Sequence, residues 1–264
     1  MSFFHHHKSQ RTEDLKVVDN RRINDLYYVL KLQPSQPLPE ISPGQFVNVL
    51  VEDSKTTFLR RPISVYDVDS QENTLELLIQ IVGDGTEKLS HMKVGESVNL
   101  LYPLGRGFSW DSRNKNVLLV GGGVGLAPLF YLAKNLNNNG ITVTTLIGGR
   151  AKNNIIELDN FIETGEVFIS TEDGSLGEKG LLTTNSVMKR IGEFDKIFTC
   201  GPDPMMKAVA RIARQHEIDC EVSLENMMAC GIGACLCCVE ETTTGNRCVC
   251  TDGPVFNINE LKWN

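Results

Sequence analysis

The sequence predicts an antiparallel β-barrel, then a parallel-sheet α/β domain of nucleotide-binding type, then a small C-terminal cysteine module. Three observations carry this. Residues 15–102 read as short strands broken by turns, with few helical stretches. From residue 117 onward, apolar strands alternate with helical stretches, as in a parallel sheet covered on both faces. Six of the eight cysteines fall between Cys230 and Cys250, and none precedes Cys200.

The chain of 264 residues is long enough for two domains and a small extra module. Its 26 basic and 33 acidic residues give a net charge of −7, which argues against a nucleic-acid surface. With 41% hydrophobic and 22% charged residues, the composition is that of an ordinary globular protein. No apolar run approaches the ~20 residues that span a bilayer, so no membrane association is expected. Residues 1–10 lack a long apolar stretch after a basic start, so no signal peptide is expected there. They read as a tail in which His5, His6 and His7 are solvated. The expected compartment is therefore reducing and cytoplasmic, where clustered cysteines bind metal more often than they form disulfides.

The barrel elements follow in order. Residues 25–32 carry mixed alternation, which Pro34, Pro37 and Pro39 interrupt. Pro43-Gly44 is a turn before the β-rich residues 45–51, and further strands are expected at 74–82 and 96–101. The polar residues 111–116 end this regime. Next come the continuous apolar run Val117-Leu118-Leu119-Val120, a glycine turn and a helix over 127–136. Strands are expected at 142–147, 166–170 and 196–199, and a helix over 204–216. The predicted organisation is a tail (1–10), a barrel (11–110), an α/β domain (111–218) and a cysteine module (219–264), with no internal repeat.

The cysteine module carries the most specific motif. Cys230, Cys235 and Cys238 have the C-x4-C-x2-C spacing of a plant-type [2Fe–2S] site, with a fourth cysteine further on. Four thiolates must converge on two irons, so three sit on one tight loop. Gly231 and Gly233 allow unusual backbone angles and let amides approach the sulfurs. Structural zinc usually takes C-x2-C pairs instead. Cys230, Cys235, Cys238 and Cys250 are the expected ligands. Cys237 and Cys248 compete for the third and fourth places; spacing disfavours the former and leaves the latter open.

Four further motifs sit at strand ends. Arg60-Arg61-Pro62-Ile63-Ser64 offers a planar cationic fork and a hydroxyl for phosphate, and Gly83-Asp84-Gly85-Thr86 offers small residues that admit another part of the same ligand. Gly121-Gly122-Gly123-Val124-Gly125 opens a helix after a buried strand, where a nucleotide phosphate or sugar approaches backbone. Leu126 stands where a third motif glycine would be. Cys200, in Thr199-Cys200-Gly201-Pro202, lies at the sheet edge where ligands bind; it reads either as a nicotinamide contact or as a small buried side chain. Cys220 reads as core.

Together these motifs resemble the ferredoxin–NADP reductase superfamily. Within it, Arg61-Pro62-Ile63-Ser64, Gly85-Thr86, Pro103-Leu104-Gly105, Asp173-Gly174-Ser175, the loop from Met228 to Cys235 and the closing Cys250 to Phe256 resemble the electron-transfer subunits of the NAD-dependent (class B) dihydroorotate dehydrogenases. The resemblance covers nearly the whole chain after the tail. It implies an FAD-binding barrel, with FAD contacts at Arg61, Pro62, Ile63, Ser64, Leu78, Ile79, Gln80, Gly85 and Thr86. It also implies an NAD-binding domain using Gly122, Gly123 and Cys200, and cluster ligation by Cys230, Cys235, Cys238 and Cys250, which sets Cys248 aside. The implied cofactors are FAD and a [2Fe–2S] cluster, with NAD(H) as exchangeable substrate. The implied partner is an FMN-containing dihydroorotate dehydrogenase catalytic subunit, in a heterotetramer serving pyrimidine synthesis.

Gln80 stands where relatives often carry arginine. Tyr102 and Arg106 depart from the family pattern near the Pro-Leu-Gly loop and are expected to alter nicotinamide entry. Glu172 and Asp173 suit ribose hydroxyls and favour NAD over NADP, whereas Arg150 argues the other way. Met227, Met228, Ile232 and Leu236 either face the partner or pack beneath the loop. Two other readings compete: a subunit of an NADH-dependent ferredoxin reductase or sulfide dehydrogenase, and a zinc-stabilised binding module without redox chemistry.

Overall fold

Burial alternates along β1 (Arg11–Arg22): Leu15 and Val17 point inward while the charged residues between and around them stay nearer solvent. This period of two is what a half-buried strand requires, and it starts the first domain of the computed structural model, which describes residues 10–54 and 56–263. The strands that follow are β2 (Tyr27–Gln33), β3 (Phe46–Val49), β4 (Arg61–Ser64), β5 (Asp67–Asp69) and β6 (Thr74–Gln80). Helix α1 (Asp84–Ser90) then leads to β7 (Ser97–Leu104). These strands form one antiparallel sheet in the order β4-β3-β7-β1-β2-β6-β5, curled so that β4 also lies near β6. Tyr28, Leu30, Leu75, Leu77, Ile79 and Leu100 fill the interior, where each large apolar side chain contributes about 1.5–3 kcal/mol. The tail expected over residues 1–10 lies, except for Gln10, outside the described residues.

The second domain opens with β8 (Asn116–Gly122), whose Val117, Leu118, Leu119 and Val120 are all wholly buried. A 3-10 turn over Gly123–Leu126 passes into α2 (Ala127–Asn138). Pro128 in its first turn suits a position that needs no amide donor. Its buried Leu129, Leu132, Ala133 and Leu136 follow the i, i+3, i+4, i+7 pattern of one helix face. Phe130 of α2 stacks on Tyr66 of the barrel at 4.8 Å, and Lys134 reaches Asp67 at 2.6 Å, so this helix joins the two domains.

The remaining elements are β9 (Thr142–Gly149), α3 (Leu158–Ile162), β10 (Glu166–Thr171), β11 (Glu178–Lys179), β12 (Lys196–Cys200), α4 (Asp203–Gln215) and β13 (Asp219–Ser223). After them come β14 (Val239–Thr242), β15 (Gly245–Cys248), α5 (Val249–Asp252) and β16 (Val255–Asn257). The sheet order is β11-β10-β9-β8-β12-β13-β16, parallel except for β16. Strand order reverses between β8 and β12, with β9 and β10 added on one side and β12 and β13 on the other, which opens a crevice at the carboxyl ends of the strands.

The structure departs from the sequence reading at two places. The nucleotide sheet does not end at residue 218, because β13 pairs in parallel with β12 and β16 pairs with β13, Ser223 opposite Val255. The cysteine segment is thus an excursion between two paired strands. Gly85 and Thr86 lie on the helix α1, an element the sequence reading does not expect.

Candidate functional site

Two connected cavities lie between the domains. The larger, about 630 Å³, sits over the carboxyl ends of β8, β9 and β12 and is lined by Gly122, Gly123, Gly148, Gly149 and Gly201. The glycines bring bare backbone to the cavity wall. At Gly125 the approach is closest: a Cβ there would stand 2.4 Å from the Cys200 carbonyl oxygen, so no other residue fits. The smaller cavity, about 280 Å³, is lined by Arg61, Pro62, Ile63, Ser64, Leu78, Ile79, Gln80, Thr86 and Cys200. Gln80, Val124, Gly125 and Glu225 line both, so the cavities meet there.

The two adjacent arginines have different duties. Arg60 donates to the Asn48 carbonyl at 3.1 Å and to the Asn99 carbonyl at 3.3 Å. Among the described residues, the Arg61 guanidinium has no hydrogen-bond or ion-pair partner, and it borders the cavity. Gly85 lies behind it; a Cβ there would stand 3.2 Å from Arg61 Nε. An unpaired fork beside a cavity fits a pyrophosphate. Thr86 has no hydroxyl to offer a ligand: its Oγ1 accepts from Val82 N at 2.9 Å and donates to the Gly83 carbonyl at 2.9 Å.

Burial pushes the Cys200 thiol up to about 12, with the nearby Glu225 charge adding to the shift. Cys200 is therefore a neutral residue on the wall of the smaller cavity rather than a thiolate, and it does not line the larger one. Sequence reasoning missed Ser223, which ends β13, and Glu225 just after it, both on the wall of the smaller cavity. Their only signal was a place at the end of a parallel strand. Arg150 and Glu172 line the larger cavity, and the Arg150 guanidinium has no hydrogen-bond or ion-pair partner among the described residues. Asp173 does not line it. Its carboxylate accepts from the Ser175 hydroxyl at 2.6 Å and amide at 2.9 Å, so it builds a turn instead of facing a ribose.

Two expectations near the Pro-Leu-Gly loop fail. Tyr102 is wholly buried inside the barrel, donating to Glu13 at 2.6 Å and accepting from Arg11 at 2.9 Å. The backbone of Arg106 pairs with the Gly253-Pro254 segment. Neither lines either of the two cavities.

The cysteine loop holds its sulfurs with backbone amides. Cys230 Sγ accepts from the amides of Ile232 at 3.5 Å and Cys235 at 3.4 Å, Cys250 Sγ from Gly233 at 3.2 Å, and Cys238 Sγ from Cys250 at 3.4 Å. Gly231 (φ +74°) and Gly233 (φ +76°) adopt the left-handed conformation that aims these amides inward. Burial raises the Cys230 thiol, but its amide donors outweigh that and bring it down to about 6. Burial, then the neighbouring Cys238 thiol, push Cys250 up to about 12.

The β14–β15 hairpin sets Val239 opposite Cys248 and returns the chain so that Val249 N donates to the Cys238 carbonyl at 3.0 Å. That return brings Cys250 back to Cys238. Cys238 and Cys250 are buried, Cys248 is half-buried and Cys237 exposed. Among the described residues no three Cys, His, Asp or Glu side chains gather around a single metal ion. The amide donors to the sulfurs of Cys230, Cys238 and Cys250 suit the thiolates of an iron–sulfur cluster.

Comparison with known proteins agrees with this geometry. A chain of the NADH-dependent reduced ferredoxin–NADP oxidoreductase superposes with a TM-score of 0.84 and 31% identity, over 94% of this chain and 90% of that one. The ferredoxin reductase of carbazole 1,9a-dioxygenase shares the fold at a TM-score of 0.68 and 20% identity, over 79% of this chain and 67% of that one. Residues 14–108 match the oxidoreductase FAD-binding domain family. Fold and cavities define a flavin-dependent oxidoreductase of the ferredoxin–NADP reductase type.

Residues 225–262 match the iron–sulfur cluster binding domain of dihydroorotate dehydrogenase B. The electron transfer subunit of dihydroorotate dehydrogenase B (NAD(+)) from Fusobacterium nucleatum is 38% identical, over 96% of this chain and 99% of its own length. That from Caldanaerobacter subterraneus is 40% identical, over 93% and 96%. The chain belongs to this family of electron transfer subunits, and carries its FAD-binding and iron–sulfur cluster-binding domains. No helix among the described residues is long and apolar enough to cross a membrane.

Proposed function

We propose that the chain passes electrons between an FMN-containing, dihydroorotate-oxidising catalytic subunit and NAD, within a cytoplasmic heterotetramer that serves pyrimidine (UMP) synthesis. The observation that carries this reading is contiguity. The larger cavity opens into the smaller at Gln80, Gly125 and Glu225, and Met228 lines the smaller while sharing a core with Cys238 and Cys250. The order nicotinamide, flavin, cluster follows from that arrangement.

When bound, FAD supplies the exchange between hydride transfer and single-electron transfer. This chain's residues supply position and electrostatics. Arg61 pairs with the FAD pyrophosphate, and the backbones of Pro62, Ile63, Leu78 and Ile79 shape a dry slot with Ser64 and Gln80 at its polar edge. Gly85 leaves room beside Arg61, and Thr86 fixes the turn that forms the slot's end. Gly122 and Gly123 give NAD(H) bare backbone, and Cys200 lines the flavin slot as a neutral side chain. Cys230, Cys235, Cys238 and Cys250 hold the cluster. The ferredoxin-reductase alternative rests on the 31% likeness above, whereas eight dihydroorotate dehydrogenase relatives stand at 36–40%. Co-purification with the catalytic subunit should yield FMN, FAD and iron–sulfur absorption together with dihydroorotate-dependent NAD reduction; a complex lacking that activity refutes the proposal.

The cluster loop is the proposed docking face. Met228 is buried, but Met227, Ile232 and Leu236 are exposed by 82%, 47% and 63%. Three of four apolar residues therefore turn outward around the cysteines, as at an interface. Leu236 has φ +58°, so Glu at that position meets the same backbone conformation without added strain. Leu236→Glu should retain its cluster and NADH-to-dye activity while failing to form the complex in gel filtration. Normal assembly, or loss of the cluster, rules out this role for Leu236.

For the nucleotide, Glu172 on the cavity wall repels a 2′-phosphate. We expect kcat/KM for NADH to exceed that for NADPH by about tenfold or more, equivalent to ~1.4 kcal/mol of unfavourable charge contact. Equal values, with Arg150 welcoming the phosphate, would show the opposite.

A further inference from the structure

Asn48 is wholly buried in β3, yet its side-chain Oδ1 has no hydrogen-bond partner among the described residues. A buried amide oxygen left unbonded is unfavourable and calls for an explanation. Val47 and Val49, on either side of it, fill the barrel interior. Asn48 projects from the opposite face, the one shared with Phe46 two residues earlier, which lines the smaller cavity. There its Nδ2 donates to the Cys230 carbonyl over 3.4 Å. The backbone of Gly231 lies against the amide so closely that a Cβ at Gly231 would stand 2.8 Å from Nδ2. On its other side Asn48 pairs with Pro62 of β4, and its carbonyl is held by Arg60. One residue thus touches both the strand that borders the flavin slot and the loop that carries the first cysteine. An apolar side chain would pack there without leaving an unbonded oxygen, so packing alone does not account for the amide.

We propose that Asn48 is a positioning residue: it holds the Cys230 end of the cluster loop at a fixed separation from the flavin-binding strands. Electron transfer falls steeply with the distance between cofactors, so a loop tied to the barrel at this point keeps the two at a constant spacing. The proposal rests on the reading of Cys230 as a cluster ligand.

The test uses the purified holoprotein with Asn48→Leu, which keeps bulk but removes the donor. Asn48→Ala, which removes the amide without adding bulk, is measured beside it. Three readouts are taken: bound FAD, the electron paramagnetic resonance spectrum of the reduced cluster, and the rate of iron release to a chelator. The expected result is unchanged FAD, an altered cluster spectrum and iron release several-fold faster in both variants. Parental spectra and release rates in both would overturn the proposal. So would joint loss of FAD and cluster in both, which would make Asn48 an ordinary barrel residue. A wild-type protein without acid-labile sulfide, or a Cys230→Ser variant that keeps its cluster, would defeat the ligand reading itself and the proposal with it.

Discussion

Cys250→Ser should yield a protein that still reduces dyes with NADH but no longer carries electrons from the catalytic subunit. Cys250 is buried, its sulfur accepts the Gly233 amide at 3.2 Å, and its own amide donates to the Cys238 sulfur at 3.4 Å. Removing one of four thiolates leaves the site without a full ligand set. Iron and sulfide content should fall to background, and dihydroorotate-dependent NAD reduction should be lost with them. Cys248→Ser and Cys237→Ser are the contrasts: Cys248 is half-buried and Cys237 exposed, and both variants should keep the cluster. If Cys248→Ser loses its iron while Cys250→Ser retains it, the fourth ligand has been misassigned.

The second large effect concerns Arg61. Its fork borders the smaller cavity with no partner among the described residues, while Arg60 beside it is tied to Asn48 and Asn99. Arg61→Ala should remove a charge-assisted contact worth ~1.5–3 kcal/mol and weaken FAD tenfold or more. Apo-protein titrated with FAD and followed by flavin fluorescence gives the affinity directly. An affinity unchanged from wild type would remove Arg61 from the pyrophosphate site.

Features that are local in the chain were legible in the sequence. The apolar run of β8, the single buried face of α2 and the C-x4-C-x2-C spacing each follow from residues within a few positions of one another. Of the segments that line the flavin slot, Arg61–Ser64 shows in its residue types, whereas Leu78, Ile79 and Gln80 follow only from the family resemblance. What stayed hidden depends on distant partners. β13 is five residues long and adjoins the cysteine region, and only its pairing with β12 and β16 makes it part of the sheet. Helix α1 has seven residues, too few to show a helical period, and it contains Gly85. Asp173 reads as a ribose ligand until the Ser175 hydroxyl is seen to occupy it. Tyr102 reads as a gate until its hydroxyl is found between Arg11 and Glu13. Glu225 and Asn48 belong to no motif, and only the fold brings them to the cavities and the cluster loop.

Ser223 and Val255 face each other across an antiparallel pair, so the ends of the intervening segment start about 5 Å apart. Topologically, the cysteine region is a cassette set into the edge of a finished sheet rather than an appendage at the end of the chain. The strands that clamp its two ends are also the ones that complete the nucleotide sheet, and their pairing involves no cysteine ligand. The two ends of the loop are therefore held together by backbone pairing alone, whether or not its thiols carry metal.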